Sequence, residues 1–224
     1  MFFAKSLLAA AAMTTALMAV PIAAQAHDTN EAPENLQVHD LKDFDKIEVS
    51  GVYHIDVKIG ETFSVTTSGA DKEVKFMDVR QEGDTLVLGT KEKKKNWNMG
   101  DRQEVFAEIT LPSLTSLDVA GIAVGDVTGL VDAELDLDIA GITELTLSGS
   151  CQSMTLDMAG IGEVNAQDLT CRDVTVDLAG MGEANVYASE SVDADAAGMG
   201  QITVYGSPKS VKKDSNFMAS VKIK

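Results

Sequence analysis

Aspartate recurs at a fixed place in a short phrase that the second half of this chain repeats. The phrase consists of Asp, an apolar residue, Ala and Gly. Its aspartates are Asp118, Asp138, Asp157, Asp177 and Asp195. If the repeats stack on one another, these carboxylates become neighbours, and like charges in register repel. An interaction that offsets the repulsion is therefore expected at this position.

Three interpretations of these aspartates are open. In the first, each carboxylate accepts backbone N–H bonds within a local turn that ends at the Gly. In the second, the carboxylates bind Ca²⁺, which prefers clusters of oxygen ligands. A second acidic set, three residues after the Gly, would then contribute, and its members are Glu144, Glu163 and Glu183. In the third, the aspartates form a solvated acidic face. Ca²⁺ is the only cofactor that the sequence suggests.

Cys151 and Cys171 occupy equivalent places in adjacent repeats, because each lies nine residues before the central Gly of its repeat. Stacking would bring the two side chains close, and an exported protein can keep a disulfide. A parallel, in-register pair is not the ideal geometry for that bond. A disulfide and two buried free thiols are therefore both open.

A basic cluster, KEKKK, interrupts this acidic chain at residues 91–95. Lys93, Lys94 and Lys95, with the nearby Trp97, are candidate ligand contacts. The lysines could meet an anionic glycan or the acidic face of another copy, and Trp97 could offer an exposed stacking surface. A solvated hairpin end, with Trp97 as a small hydrophobic plug, explains the same residues.

No catalytic residue can be assigned from the sequence. The three histidines are His27, His39 and His54, and no nucleophile, base and orienting group can be assembled around them. Paired carboxylates can cleave glycosides, but a catalytic pair is singular, whereas this Asp recurs in every repeat. We therefore predict that the protein is not an enzyme, and a carbohydrate-active enzyme is the third hypothesis for its function.

The repeats that position these residues have a nearly constant length. Their central glycines are Gly121, Gly141, Gly160, Gly180 and Gly198, at spacings of 20, 19, 20 and 18. A fixed period of this size is typical of a solenoid. Apolar and polar residues alternate within each repeat, which indicates strands with one buried face. The predicted fold is all-β, a single-stranded β-solenoid of about five to six coils with a repeat of ~19 residues.

Two apolar columns flank the central Gly, and both are expected in the interior. The first lies two residues before the Gly and consists of Val119, Ile139, Met158, Leu178 and Ala196. The second directly follows the Gly and consists of Ile122, Ile142, Ile161, Met181 and Met199. An Ala precedes each Gly, as suits a tight corner. The Gly is expected to have a positive φ or a close backbone neighbour.

The two ends of the chain are expected to differ from the repeats. Residues 41–112 read as a less regular N-terminal β region that caps the solenoid, with VSGVYHI (49–55) as a divergent first coil. The solenoid repeats occupy residues 113–224. The last repeat is degraded, and Phe217 is expected to plug the exposed end of the core.

The N-terminus predicts export. Residues 1–26 have a short basic start, an apolar stretch and an Ala-x-Ala cleavage site, which together indicate a signal peptide. Residues 27–40 are expected to be a flexible leader, and no later stretch is apolar enough for a transmembrane segment. The formal net charge of −17 argues against nucleic acid and anionic lipid as partners. The expected location is a Gram-negative envelope, in the periplasm, at the cell surface or outside the cell.

Three parts of the sequence together resemble the auto-transporter adhesin head GIN domain family. They are the opening FDKIEVSGVYHIDVKIGE (44–61), the Asp-x-Ala-Gly repeats and the closing SPKSVKKD (207–214). The resemblance spans one continuous domain of about 41–215 and implies an exported, adhesin-like β-solenoid. This chain has Ala where the family often has Ser before the central Gly, which makes its corners less polar.

Two further hypotheses concern function. In the first, the protein is a non-catalytic binding module that presents a rigid, repetitive acidic face to a cell-surface glycan or protein. In the second, it is a periplasmic structural protein that maintains the envelope.

Overall fold

The computed structural model describes residues 35–91 and 105–224. In these ranges the chain forms strands of one continuous β-sheet and a single helical turn. The N-terminal elements are β1 (Gln37–His39), β2 (Lys46–Val49), β3 (Val52–Ile59), β4 (Ser64–Gly69), α1 (Asp71–Val74), β5 (Met77–Glu82), β6 (Thr85–Thr90) and β7 (Val105–Leu111). The later elements are β8 (Ser116–Val119), β9 (Ile122–Ile139), β10 (Ile142–Met158), β11 (Ile161–Leu178), β12 (Met181–Ala196), β13 (Met199–Tyr205), β14 (Ser210–Ser215) and β15 (Ser220–Ile223).

The predicted β-solenoid is confirmed, with about five coils. Each of β9, β10, β11 and β12 forms nearly a whole coil, and each is separated from the next only by an Ala-Gly bend. Neighbouring coils pair in parallel, so that equivalent residues of successive repeats lie side by side. Parallel stacking buries the apolar face of every coil against its neighbours, which a single coil could not do alone.

The first coil comes from β2 and β3. Val49 pairs with Val119, and Val52 pairs with Ile122, so Ser50 and Gly51 form the corner that lies over the first Ala-Gly corner. β6 and β7 add a further parallel layer on β2 and β3. Antiparallel strands β4 and β5 then cover that layer, which ends the parallel stack on this side. Within the segment predicted to be a flexible leader, β1 pairs with β4.

Alternation of inward and outward side chains continues without interruption through each corner. Ile139 is buried, Ala140 is exposed, Gly141 is partly buried against the backbone of Gly121, and Ile142 is again exposed. The column two residues before the Gly is therefore buried in all five repeats, as predicted. The expectation that the column after the Gly is also interior was wrong, because the Gly itself takes the inward position.

The central glycines are required by contact with the coil beneath. None of them has a positive φ. A Cβ added to Gly160 would clash with the carbonyl oxygen of Gly141, and one added to Gly141 would clash with that of Gly121. The backbone hydrogen bonds also continue through the corner, as in the donation from Ile142 N to Gly121 O at 2.9 Å. At each corner the successive backbones therefore lie too close together for a side chain at the central Gly.

The C-terminal end does not follow the prediction for Phe217, whose side chain is 101% exposed and plugs nothing. Ser215 pairs with Ala196, which puts Phe217 where the next central Gly would lie. That inward position has no room for a side chain, since even a Cβ on Gly198 would clash with Gly180. The chain instead turns at residues 217–218 before β15 begins.

Two buried threonines differ in how their hydroxyl groups are satisfied. Thr143 is 2% exposed, and its Oγ1 has no hydrogen-bond partner within residues 35–91 and 105–224. Thr203 is 1% exposed and accepts a hydrogen bond from the Gln201 amide at 3.1 Å. A buried hydroxyl without a partner loses its hydration and gains nothing in return.

Thr143→Val is expected to raise the free energy of unfolding by about 1 kcal/mol, because it removes this unsatisfied group with little change in shape. Thr203→Val is the matched control and is expected to lower it, since the same change breaks a hydrogen bond there. Urea denaturation of both variants checks the difference. Equal losses of stability in the two variants would show that the Thr143 hydroxyl is satisfied.

Cys151 and Cys171 form a disulfide between adjacent coils. They are paired in register, their Cα atoms are 4.5 Å apart, and both side chains are buried. The sequence separation of 20 closes a short loop. In the loop-closure account, a crosslink that closes a loop of that length lowers the conformational entropy of the unfolded chain and so stabilises the fold by about 3 kcal/mol.

The double change Cys151→Ala and Cys171→Ala is expected to lower the free energy of unfolding by about 3 kcal/mol. Denaturant titration of the oxidised wild type, the reduced wild type and the double variant measures this loss. The reduced wild type separates the crosslink from the buried sulfur atoms, because it keeps the sulfurs and loses only the bond. Equal stability of the oxidised and reduced wild type would contradict the prediction.

Candidate ligand-binding surface at the coil corners

The corners expose a continuous row of large apolar side chains, which we call the corner ridge. It consists of Ile122, Ile142, Ile161, Met181 and Met199, which pair in register from coil to coil. Ile142 is 50% exposed, Ile161 47%, Met181 43% and Met199 49%. Single exposed apolar residues are common, but a contiguous row marks an interaction surface more often than chance.

A groove runs along the N-terminal half of the corner ridge. Its volume is about 710 Å³. The floor is formed by the Ala-Gly corners of three successive coils, and Phe76, Met77 and Val105 from the N-terminal region form a wall. Because Ala and Gly are small, the floor presents backbone and methyl groups to a ligand. The site is therefore mostly apolar.

Tyr53 lies at the base of this groove without adding a charge to it. The side chain is buried, and its hydroxyl donates a hydrogen bond to the carbonyl oxygen of Gly89 at 2.6 Å. Burial, together with the nearby Asp78 carboxylate, raises the pKa of Tyr53 well above its usual value. The ring therefore acts as an apolar surface with its polar end already satisfied.

The five repeated aspartates form a row on one side of the corner ridge, which we call the aspartate row. All five are exposed and pair in register. The same register adds Glu48 before Asp118 and Asp214 after Asp195. The structure therefore aligns a longer run of carboxylates than the repeat alone predicted.

The turn interpretation of these aspartates was wrong. Among the hydrogen bonds of the described residues, the row accepts only one, from the Ser116 hydroxyl to Asp118 at 3.5 Å. The five carboxylates point outward from their strands and accept no backbone N–H bond from the described residues. Asp214, at the end of the aligned run, does accept one, from Ser215 N at 2.8 Å. The solvated acidic face is the interpretation that agrees with this geometry.

Repulsion within the aspartate row remains and affects its ionisation. Partial burial and then the neighbouring Asp138 carboxylate raise the pKa of Asp118. Partial burial and then the Asp177 and Asp138 carboxylates raise the pKa of Asp157. The last coil partly relieves the repulsion, because Lys212 pairs with Asp193 at 2.7 Å beside the end of the row.

Asp157→Asn is expected to raise the free energy of unfolding by about 0.5 kcal/mol, because it removes like charges that face each other across strands. The gain should shrink in high salt, which screens exposed charges. Thermal denaturation at low and high ionic strength measures it, with Asp168→Asn as the control for an exposed carboxylate outside the row. A loss of stability would contradict the prediction.

The raised pKa also fixes the expected effect of pH on this row. A carboxyl group whose folded pKa is raised binds more protons in the folded than in the unfolded state. Wild-type stability therefore gains from the row as pH falls through the raised folded pKa towards the ordinary pKa of the unfolded chain. Asp157→Asn should lack part of that gain.

Calcium binding by the aspartate row stays a prediction. In residues 35–91 and 105–224, no group of three or more His, Cys, Asp or Glu side chains is arranged to hold a metal ion. Stacked coils set successive carboxylates about 4.8 Å apart on one flat face. Calcium ligands instead converge on one point at about 2.3–2.6 Å.

A second acidic row lies on the other side of the corner ridge. Glu144, Glu163 and Glu183 pair in register, and we call them the glutamate row. The row ends at Gln201, whose amide donates a hydrogen bond to Glu183 at 3.3 Å. The corner ridge is thus an apolar stripe between two lines of carboxylates.

The predicted contacts at Lys93, Lys94, Lys95 and Trp97 lie outside the described residues. The corner ridge, in contrast, was missed by the sequence reasoning, which placed its side chains inside. A strict count of alternation through the Gly would have found it, because the residue after an inward Gly must point outward.

Comparison with known proteins agrees with this architecture. Residues 43–208 match the family described as putative auto-transporter adhesin, head GIN domain. A crystal structure of a putative adhesin from Bacteroides fragilis is 23% identical, with a TM-score of 0.65, and the alignment covers 84% of this chain and 96% of that one. At that identity the likeness shows the fold alone.

More distant structures are also similar. A putative adhesin from Parabacteroides merdae is 14% identical with a TM-score of 0.45, over 84% of this chain and 95% of that one. A putative lipid binding protein from Parabacteroides distasonis is 18% identical with a TM-score of 0.44, over 87% and 98%.

No curated protein matches the chain at a significant level. Among the described residues, no helix has the length and apolar character to cross a bilayer. The family match covers well over half of the sequence and agrees with the resemblance found in its opening, repeats and closing stretch. The chain therefore belongs to the auto-transporter adhesin head GIN domain family.

Proposed function

We propose that this protein is an exported, non-catalytic binding module that acts at the bacterial cell envelope as an adhesin does. The observation that carries the proposal is the corner ridge, a contiguous apolar row on the outside of a rigid solenoid. The family description and the structural neighbours support an adhesin-like role. The partner is a glycan or a protein on a cell surface.

The same geometry supports a non-catalytic role. Acid–base catalysis requires two groups whose surroundings give them different pKa values. The aspartate row instead repeats one environment, because equivalent carboxylates pair in register along the stack. A row of equivalent carboxylates is typical of an extended binding surface, whereas catalysis needs a single site with distinct groups.

Charge narrows the class of partner. The formal net charge of −17 disfavours nucleic acid and anionic lipid. Two rows of carboxylates beside the corner ridge would repel any partner that is itself acidic. The partner therefore offers neutral or positively charged groups next to an apolar contact.

Labelling of intact cells with a membrane-impermeant amine reagent tests where the protein acts. Lys58 and Lys213 are exposed and should react if the protein lies at the cell surface. Peptide mass spectrometry identifies the labelled lysines, and a known periplasmic protein that stays unlabelled is the control. Labelling only after the outer membrane is opened would overturn surface adhesion and favour the periplasmic structural role.

A further inference from the structure

We propose that the corner ridge docks an amphipathic α-helix that carries basic residues on both sides of its apolar stripe. This inference rests on the proposed binding function and names the class of protein partner for the same surface. It follows from the charge on either side of the ridge and from the spacing of its side chains.

Spacing along the ridge favours a helix that lies parallel to the solenoid axis. Ile122 to Met199 spans four coil-to-coil steps, or about 19 Å at about 4.8 Å each. Four turns of α-helix span about 22 Å at about 5.4 Å each. The mismatch of roughly 2.4 Å over the whole ridge is half of one coil spacing, so each turn can place one apolar residue against one coil.

An extended strand parallel to the axis fits less well. Its side chains on one face recur every second residue, about 6.7 Å apart, so four steps span about 27 Å. The mismatch with the ridge then exceeds one coil spacing, and apolar side chains fall out of register. The corner ridge therefore favours a helical partner over an extended one.

Charge on both sides of the ridge sets the composition of that helix. Asp138 on one side and Glu144 on the other are six positions apart in the sequence, and six steps of extended chain span at most about 20 Å. A helix is about 10–12 Å wide with its side chains, so lysines on both flanks would reach the two acidic rows. Both rows follow the ridge over several coils, which allows repeated contacts.

Two other possible partners, a second copy of the chain and an anionic membrane, are less compatible with the two acidic rows. A second copy of this chain would place acidic rows against acidic rows. An anionic membrane surface would be repelled by both rows. The groove also gives one end of the helix a bounded place, because Phe76 and Met77 line it together with Ile122, Ile142 and Ile161.

The test uses the purified full chain and a labelled synthetic helix of about five turns, roughly 18 residues, with Leu along one face and Lys on both flanks. Fluorescence anisotropy is expected to show saturable binding. Replacing Ile142 and Ile161 with Ser should weaken that binding at least about tenfold, through loss of apolar burial. Val131→Ser is the control, since Val131 is 74% exposed and lies outside the ridge.

Three peptide and lipid controls make the outcome decisive. The same peptide with Glu for Lys should not bind, and one with a central Pro that breaks the helix should bind at least about tenfold more weakly. Equal binding of the Pro peptide would overturn the helical partner. Equal affinity for neutral lipid vesicles, or a concentration-dependent dimer in sedimentation, would overturn it in favour of lipid or a second copy.

Binding of the purified protein to target cells separates this inference from the proposed function. If Ile142→Ser with Ile161→Ser abolishes cell binding but the basic helix does not bind the wild type, the binding function stands and the helical partner is wrong. If the helix binds and cell binding does not depend on the ridge, the proposed function is wrong for this surface.

Discussion

Gly160→Ala is expected to lower the free energy of unfolding by about 3 kcal/mol, the upper end of the cost of overpacking a core. The added Cβ would clash with the carbonyl oxygen of Gly141 in the coil beneath. That oxygen accepts the hydrogen bond from Ile161 N at 3.0 Å, so it cannot move without breaking the pairing of two coils. One methyl group is thus expected to disturb the stack on both sides of the corner.

The matched control is Ala159→Ser, one residue earlier in the same corner. Ala159 is exposed, and a hydroxyl there points to solvent, so its effect should lie within about 0.5 kcal/mol of zero. Urea denaturation of wild type and both variants gives the comparison. A Gly160→Ala variant as stable as Ala159→Ser would show that the corners are not as closely stacked as described.

Replacing Ile142, Ile161 and Met181 together with Ser is expected to lower the affinity for target cells by at least about tenfold. These side chains are about half exposed, so their removal should cost little stability but would take away most of the apolar contact with a partner. Flow cytometry of cells incubated with labelled protein measures the binding.

Thermal denaturation of the triple variant should match the wild type, which separates loss of contact from loss of fold. Val131→Ser again reports on an exposed apolar residue away from the ridge. Unchanged cell binding by a folded triple variant would remove the corner ridge from the binding surface.

The fold could be predicted from the sequence because every repeat shows both the length of a coil and the two-residue alternation of a strand. The spacing of Gly121, Gly141 and Gly160 gave the coil, and the alternation of Leu135, Leu137 and Ile139 with acidic residues gave the strand. Both survive in the structure because parallel stacking keeps equivalent residues in register. The family resemblance was confirmed by the match over residues 43–208.

The corner ridge was not predicted, although the two acidic rows beside it were, and the physical reason concerns the Gly. The prediction placed Ile142 inside because the position after the Gly is apolar in every repeat. In the structure the alternation continues through Gly141, whose missing Cβ leaves room for the carbonyl oxygen of Gly121 in the preceding coil. Ile142 therefore points to solvent, and the most apolar column of the corner becomes a surface.

The ends were harder to predict than the repeats, since their neighbours are missing on one side. Phe217 was expected to fill the open end. It aligns with the central Gly of the preceding repeat, and that position has no room for a side chain. Of the three interpretations open for the aspartates, the one with bonds to local backbone failed, because the five carboxylates point outward from their strands. At Phe217 the stacked neighbour, which no single repeat contains, decided the outcome.

Protection of the corner ridge on living cells tests the central claim most directly. Met199→Cys places a thiol on the ridge, and Val131→Cys places one on an exposed position outside it. Cys151 and Cys171 are bonded to each other and should not react. A membrane-impermeant maleimide is applied to intact cells, with and without the bound partner cells. We expect both thiols to react on cells alone and Met199→Cys alone to be protected once partner cells adhere. Equal labelling of the two thiols in the adherent state would contradict the account.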